Sequence, residues 1–308
     1  MSPDPTLPFA VGPRSIRALV DPVLVDPSPP LLLAMIEAYH EAAPGLVDPE
    51  PSTLHAEVSD RDSSVVASDP STSNLPPLTV LASDHAVDTI TEEFHSASRL
   101  AALTEPGVWD LLRLSEPQPN AVLASRTTGW VLVPVGGRED DGDADADRIG
   151  QWRRIGDDPT LRDRHAPVVE AAAERRLRSP SRRRVYESLR TRCGVAVADD
   201  VLRALDGERG RSGDDSLDLA GARRRAYVVG AHRGALDHDL RRACEDAGLG
   251  SSATFTSIKR TLREAGLLDT ESVSQPVGRS RDRLVARGAL AEADSPTAAV
   301  AAALDAVE

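Results

Sequence analysis

The stretch LAGARRRAYVVGAHRGALDHDLRRACEDAGLGSSATFTSIKRTLREAGLLDTESVSQPVGRSRDRLVARGA, residues 219–289, has the pattern of three helices followed by a hairpin. Leu219 to Ala235 reads as a first helix, with Leu219, Ala222, Ala226, Val228 and Val229 on its buried side and Arg223, Arg224 and Arg225 near its start. Asp237 is a natural N-cap for a second helix that turns Leu240, Ala243, Cys244 and Ala247 inward. Gly248 and Gly250 bracket a tight turn, and Ser251 or Ser252 caps a third helix, 251–265. This is the helix-turn-helix order. In the third helix Phe255, Ile258, Leu262 and Ala265 form one apolar stripe. At 100° per residue the opposite face collects Ala253, Thr256, Ser257 and Arg260, flanked by Ser252, Lys259 and Arg263.

Gly266 ends that helix, and two extended arms, Asp269–Val273 and Asp282–Ala286, surround a turn at Pro276 and Gly278. With Arg279, Arg281 and Arg283 in it, segment 274–283 reads as a basic wing. The pattern predicts a winged helix over 219–290. Short hydroxyls and long cations on the third helix suit a major groove, and wing arginines suit backbone phosphate or the minor groove. The expected site is therefore Ser252, Thr256, Ser257, Lys259, Arg260, Arg263, Arg279, Arg281 and Arg283, and the expected partner double-stranded DNA. The alternative is a winged helix that contacts protein, recruited by another transcription regulator.

Charge distribution agrees with the DNA reading. The chain has 308 residues and a net charge of -13, yet residues 223–290 hold 13 Lys and Arg against 8 acids, while residues 1–150 hold 8 Arg against 24 acids. Phosphate binding depends on the charges at the contact and not on the total. Lys259 is the sole lysine. That usage, with the acidic excess, resembles proteins of haloarchaea, for which a negative surface aids solubility.

The length suggests about two domains. Ser15–Val25 reads as extended and Leu31–Ala43 as a helix with Leu32, Met35, Ile36 and Tyr39 at helical spacing. Extended pieces follow at Leu54–Val58 and Ser64–Ala67. Strand Leu78–Ala82 then leads through Ser83 or Asp84 into one helix to about Leu103, with Ile90, Phe94, Ala97 and Leu100 on one face. Three more strands are expected, Trp109–Leu114, Ala121–Ser125 and Trp130–Val135. The fold expected is mixed α+β: an α/β regulatory domain at 14–136, an acidic boundary loop at 137–158, a helical connector at 159–218 with helices Ala166–Leu177 and Ser181–Arg190, the winged helix at 219–290, and a C-terminal helix in 291–308.

Catalytic and metal chemistry find no pattern. No GxxxxGK[ST], GxSxG or HExxH motif occurs, and His40, His55, His85, His95, His165, His232 and His238 are scattered. Asp141, Asp143, Asp145 and Asp147 have the spacing that opens a calcium loop, but Ala146 stands at its glycine and Trp152 at its final glutamate. Cys193 and Cys244 match no zinc or disulfide pattern. We expect no enzyme, no cofactor and no metal. With no signal peptide and no apolar run, Leu31–Ile36 included, near the roughly 20 residues that span a bilayer, a soluble cytoplasmic protein without membrane contact is expected.

Ala253–Gly288, ATFTSIKRTLREAGLLDTESVSQPVGRSRDRLVARG, resembles the C-terminal part of the haloarchaeal transcriptional regulators called TbsP, in which a helix of the type ATFSRxKxxLExxGLI precedes a wing ending in VGRPRxRL. The matching positions are Ala253, Thr254, Phe255, Lys259, Leu262, Gly266, Leu267, Val277, Gly278, Arg279, Arg281 and Leu284. LTVLASDHAVDTITEEFHSASRLAALTEPG and AVLASRTTGWVLVPV are similar in pattern to the family's N-terminal region. Ser280 departs from the family's Pro, and Asp282 adds a negative charge to the wing. The resemblance implies a sequence-specific regulator of metabolic genes. Two-fold DNA reading further suggests a homodimer, and the N-terminal domain could take a small-molecule effector, although no residue there marks a pocket.

Overall fold

Val23, Leu24 and Val25 are all buried, because strand β1 (Val23–Val25) runs through the middle of a sheet covered on both faces. The computed structural model describes residues 4–63, 75–134, 150–156, 160–206, 217–274 and 280–306. β2 (Leu78–Ala82) and β3 (Trp109–Arg113) extend the sheet in parallel on one side of β1. β4 (Val122–Ala124), β5 (Gly129–Pro134) and β6 (Gly150–Gly156) extend it in antiparallel fashion on the other, giving the order β3-β2-β1-β4-β5-β6. Alternation along β1 sends Val23 and Val25 to one face and Leu24 to the other. The Leu24 face receives helix Pro29–Ala42 through Leu32, Met35, Ile36 and Tyr39, all fully buried. Tyr39 meets Trp109 edge-on at 5.1 Å and donates its hydroxyl to the Pro76 carbonyl at 2.9 Å.

The chain divides into two compact units, 1–48 with 68–91 and 99–177, and 49–67 with 92–98 and 178–308. The first carries the sheet, which does not stop at residue 136: β6 lies within the stretch expected to be boundary loop. Helix Thr160–Ala171, expected in a connector, also belongs to this unit. Beyond it the expected helix to Leu177 does not form; Ala173 and Arg175 instead exchange backbone hydrogen bonds with the edge strand β3, at 2.9 Å each.

Several local expectations change for identifiable reasons. Residues 51–63 are helical rather than extended, starting at Pro51, which suits a first helical turn. The single helix from Ser83 is two, Asp84–Thr91 and Phe94–Thr104. The break arises because the Phe94 N–H donates to the Leu217 carbonyl at 2.6 Å, while Glu93 bridges Asp218. Ile90 therefore packs in the first unit's core and Phe94 in the second's. Ser15–Val25 holds a short 3-10 turn, Ile16–Ala18, before β1. Ser64–Ala67, Val135, Gly278 and the Glu139–Asp147 acidic run lie outside the described residues.

In the second unit, helices Arg182–Cys193 and Val195–Asp206 share one core with the expected helix-turn-helix segment through Val185, Tyr186, Leu189, Val201 and Leu205. The final helix, Pro296–Asp305, adds Ala299, Val300 and Ala303 to that core. The first two helices of the segment approach so closely at Gly230 that an added Cβ would lie 2.4 Å from the buried Leu240 side chain. Gly230→Val is accordingly expected to lower the stability of this unit by about 1–3 kcal/mol, measured by urea unfolding, because an already filled core is overpacked.

Candidate nucleic-acid interface

Three helices follow one another in the second unit. Leu219–His232 is capped by Asp218, whose side chain accepts from the Gly221 N–H at 2.6 Å. Asp237–Ala247 ends at Gly248, in the left-handed conformation at φ +83° that ends many helices. The turn's Leu249 is fully buried, which fixes how the third helix departs. Ser251 caps Ser252–Glu264 by accepting from the Thr254 N–H at 3.3 Å. Strands β7 (Leu268–Val273) and β8 (Arg281–Ala286) then pair antiparallel, Thr270 opposite Leu284. β8 is also tied to the link between the first two helices, where Leu236 bridges Arg283 and the Leu284 N–H donates to Ala235 at 3.0 Å.

Phe255 and Leu262 anchor the third helix in the core, Phe255 stacked on Tyr227 with centroids 6.0 Å apart, and Ile258 is half-buried. Ala265, expected on the apolar stripe, is exposed, because the helix ends at Glu264. The opposite face is open: Ala253, Thr256, Ser257, Arg260 and Arg263 are exposed, Ser252 half so. Among the described residues, Arg260 and Arg263 have only distant carboxylates, Glu264 at 4.0 Å and Asp269 at 3.9 Å. Such exposed pairs contribute less than about 1 kcal/mol, so both guanidiniums can leave them for a phosphate or base edge.

Lys259 is placed differently from the sequence expectation. Its ammonium lies 2.9 Å from Asp237 Oδ2, with the lysine side chain 16% and the aspartate side chain 7% exposed. The Tyr227 hydroxyl donates to the other carboxylate oxygen at 2.6 Å, and Arg241 Nε is 3.3 Å from it. Asp237 is therefore not the cap of the second helix: Leu236 occupies the cap position without a side-chain bond, and the carboxylate instead ties all three helices together. Burial disfavours its charge, but the Tyr227 hydroxyl, Lys259 and Arg241 together outweigh this and hold it below the usual carboxylate range. The Lys259 ammonium is thus paired within the helix packing and is not a free cation.

In the hairpin, Arg281 is held by Asp239, its Nη1 at 2.9 Å and 3.0 Å from the two oxygens. Arg283 is exposed and, among the described residues, pairs with no carboxylate. Arg279 lies outside the described residues. The described hairpin also carries Asp269, Glu271 and Asp282. Sequence reasoning missed Arg241, whose Nη1 donates to Ser252 Oγ at 3.2 Å and Thr256 Oγ1 at 3.4 Å and so brings a second-helix cation to the start of the third. Only the helix crossing creates that contact.

The model of the TbsP-like transcriptional regulator family's C-terminal HTH domain matches residues 181–304. Residues 181–304 are thus similar to the C-terminal HTH domain of TbsP-like regulators. No curated protein and no solved structure matches the chain. The TbsP-like match starts at Ser181, the residue that caps helix Arg182–Cys193 by accepting from the Arg184 N–H at 3.2 Å. The matched segment begins before Leu219, where hydrophobic patterning places the first helix of the module.

The helix Arg182–Cys193 explains why. Arg182 is fully buried and grips Asp206 with Nη1–Oδ1 at 2.5 Å and Nη2–Oδ2 at 2.9 Å, while Ser188 donates to the second helix at Ala243, 2.7 Å. Both thiols of the domain are protonated at neutral pH, burial pushing Cys193 up to about 12 and Cys244 higher still. Among the described residues no cluster of three metal-ligating side chains forms, and no helix is long and apolar enough to cross a membrane.

Proposed function

We propose that the chain is a sequence-specific DNA-binding transcriptional regulator whose second unit is a winged helix. The observation that carries this reading is the exposed polar face of Ser252–Glu264, with Arg260 and Arg263 loosely held, inside a TbsP-like HTH domain. In this reading the third helix enters the major groove, with Ser252, Thr256, Ser257, Arg260 and Arg263 towards the bases and phosphates. Arg283, with Arg279 and Arg281, contacts the backbone or minor groove beside it, Arg281 by leaving Asp239. A homodimer would read two half-sites about one helical turn apart. The targets are metabolic promoters in a salt-rich cytoplasm, and the protein has no catalytic role.

The direct experiment is crosslinking and sequencing of the tagged protein in its native cells beside the Arg260→Ala/Arg263→Ala variant. Promoter peaks lost in the variant support this reading, and unchanged peaks oppose it.

A second reading, a protein-contacting module recruited by another regulator, is favoured by one observation: the described hairpin strands carry as many acids as Asp269, Glu271 and Asp282 against Arg281 and Arg283. Charge reversal separates the two. Arg283→Glu is expected to weaken promoter-duplex affinity about tenfold in a titration, one lost phosphate contact plus added repulsion; unchanged affinity would favour the protein partner.

A further inference from the structure

In the first unit, β1 and β2 end on the same edge of the sheet, and β4 begins there beside β1, Val25 opposite Val122. Open sheets bind ligands outside the carboxyl ends of parallel strands, where the strand order turns back. β1 is that place, with β2 on one side and β4 on the other. A cavity of about 420 Å³ lies there, within the usual range for small-molecule sites. Its polar groups are Asp26, Ser28, Ser83, His85, Gln118 and Asn120, set among prolines, alanines and Leu132.

Two observations mark it as a built site. Asp26 has φ +50°, a conformation that non-glycine residues seldom adopt and that clusters at ligand sites. It is held there because its N–H donates to Leu81 at 2.8 Å and its Oδ2 accepts the Gln118 N–H at 2.7 Å. The strained residue is thus fixed from both sides and lines the cavity.

The lining also selects the ligand. Among the described residues, no arginine or lysine lines the cavity. The two adjoining helix starts are unsuited to an anion: Pro29 and Pro30 remove two N–H donors from one, and Ser83 Oγ takes the Ala86 N–H at 3.2 Å in the other, whose first turn carries Asp84. Asp26 adds a negative charge. What remains is a carboxylate that accepts, hydroxyls, and the His85 imidazole and amides that both donate and accept.

We propose that this cavity binds a small uncharged polyhydroxyl compound, a free sugar or sugar alcohol. That such binding would control transcription rests on the DNA-reading function above; the binding itself does not.

The test is calorimetric titration of the full chain, without DNA, with glucose, sorbitol, glucose 6-phosphate and inorganic phosphate. Saturable binding of glucose or sorbitol is expected, at least tenfold tighter than of glucose 6-phosphate. Asp26→Asn, which keeps the backbone tolerance and an acceptor for Gln118, and Asn120→Ala are each expected to weaken it at least tenfold with unchanged melting temperature. Absence of saturable binding by both neutral probes, equal or tighter binding of the phosphates, or binding unaffected by both substitutions would overturn the proposal. Loss of promoter binding by the full chain would remove the regulatory role and leave this titration intact.

Discussion

Asp237→Ala is expected to destabilise the second unit by about 3–5 kcal/mol, the usual cost of removing one partner from a buried ion pair. The substitution strands the Lys259 ammonium and the Tyr227 hydroxyl, both of which point at the lost carboxylate from different helices. Asp237→Asn keeps an acceptor for Tyr227 and should cost less. The pH dependence follows from the carboxyl's depressed pKa in the folded state. A depressed value means that the stabilisation is fully present above the unfolded pKa of about 3.9 and is lost as pH falls through the lower folded-state value. Urea unfolding of the wild type should therefore weaken below about pH 4 more steeply than that of Asp237→Asn. Equal slopes would remove Asp237 from the account.

Arg260→Ala combined with Arg263→Ala is expected to lower promoter affinity about a hundredfold and to flatten the log affinity against log salt slope by about 2, one unit per lost phosphate-directed cation. Both side chains are more than half exposed, and their carboxylates stand at 3.9–4.0 Å, so little opposes their move to DNA. Lys259→Met should behave in the opposite way. The lysine is four-fifths buried against Asp237, so its removal should reduce stability while leaving the salt slope of the folded protein unchanged. A slope that falls with Lys259→Met and not with the arginine pair would reverse the assignment.

The helix order 219–264, its turn glycines and the hairpin were readable because each carries a local signal: Phe255 and Leu262 at helical spacing, Gly248 at a left-handed cap, Ser251 before a helix. Strands β1 to β5 were readable for the same reason, as with the apolar run Val23, Leu24 and Val25 between turns, but β6 was not, because it follows the acidic run. What was not readable depends on distant partners. Lys259 sits on the outer flank of a helical wheel, and only the crossing of the helices brings Asp237 to it. Arg225, counted among the cations of the first helix, is buried and donates to the Ala204 carbonyl at 3.1 Å. Arg192 is held by Asp246 at 2.5 Å and Arg223 by the Leu249 carbonyl at 2.5 Å. Counting charge along the chain therefore overstates the free positive surface. The break at Glu92–Glu93 was hidden likewise, because it is made by residues 217 and 218, more than a hundred positions away.

These internal pairs also bear on salt. Arg281 must leave Asp239 to reach a phosphate, so binding exchanges one ion pair for another and releases fewer counterions than the number of arginines suggests. Salt weakens both sides of that exchange. In the proposed DNA-reading function, such a domain would lean on shape fit and base contacts where salt is high.

The central claim, that the outward face of Ser252–Glu264 lies in the major groove, is tested most directly by placing a photo-crosslinking amino acid at Ser257 and irradiating the complex with a promoter duplex. The account predicts crosslinks to bases through their major-groove edges, at positions fixed by the site sequence. Crosslinks absent from Ser257 in a complex that still forms with wild-type affinity would contradict it.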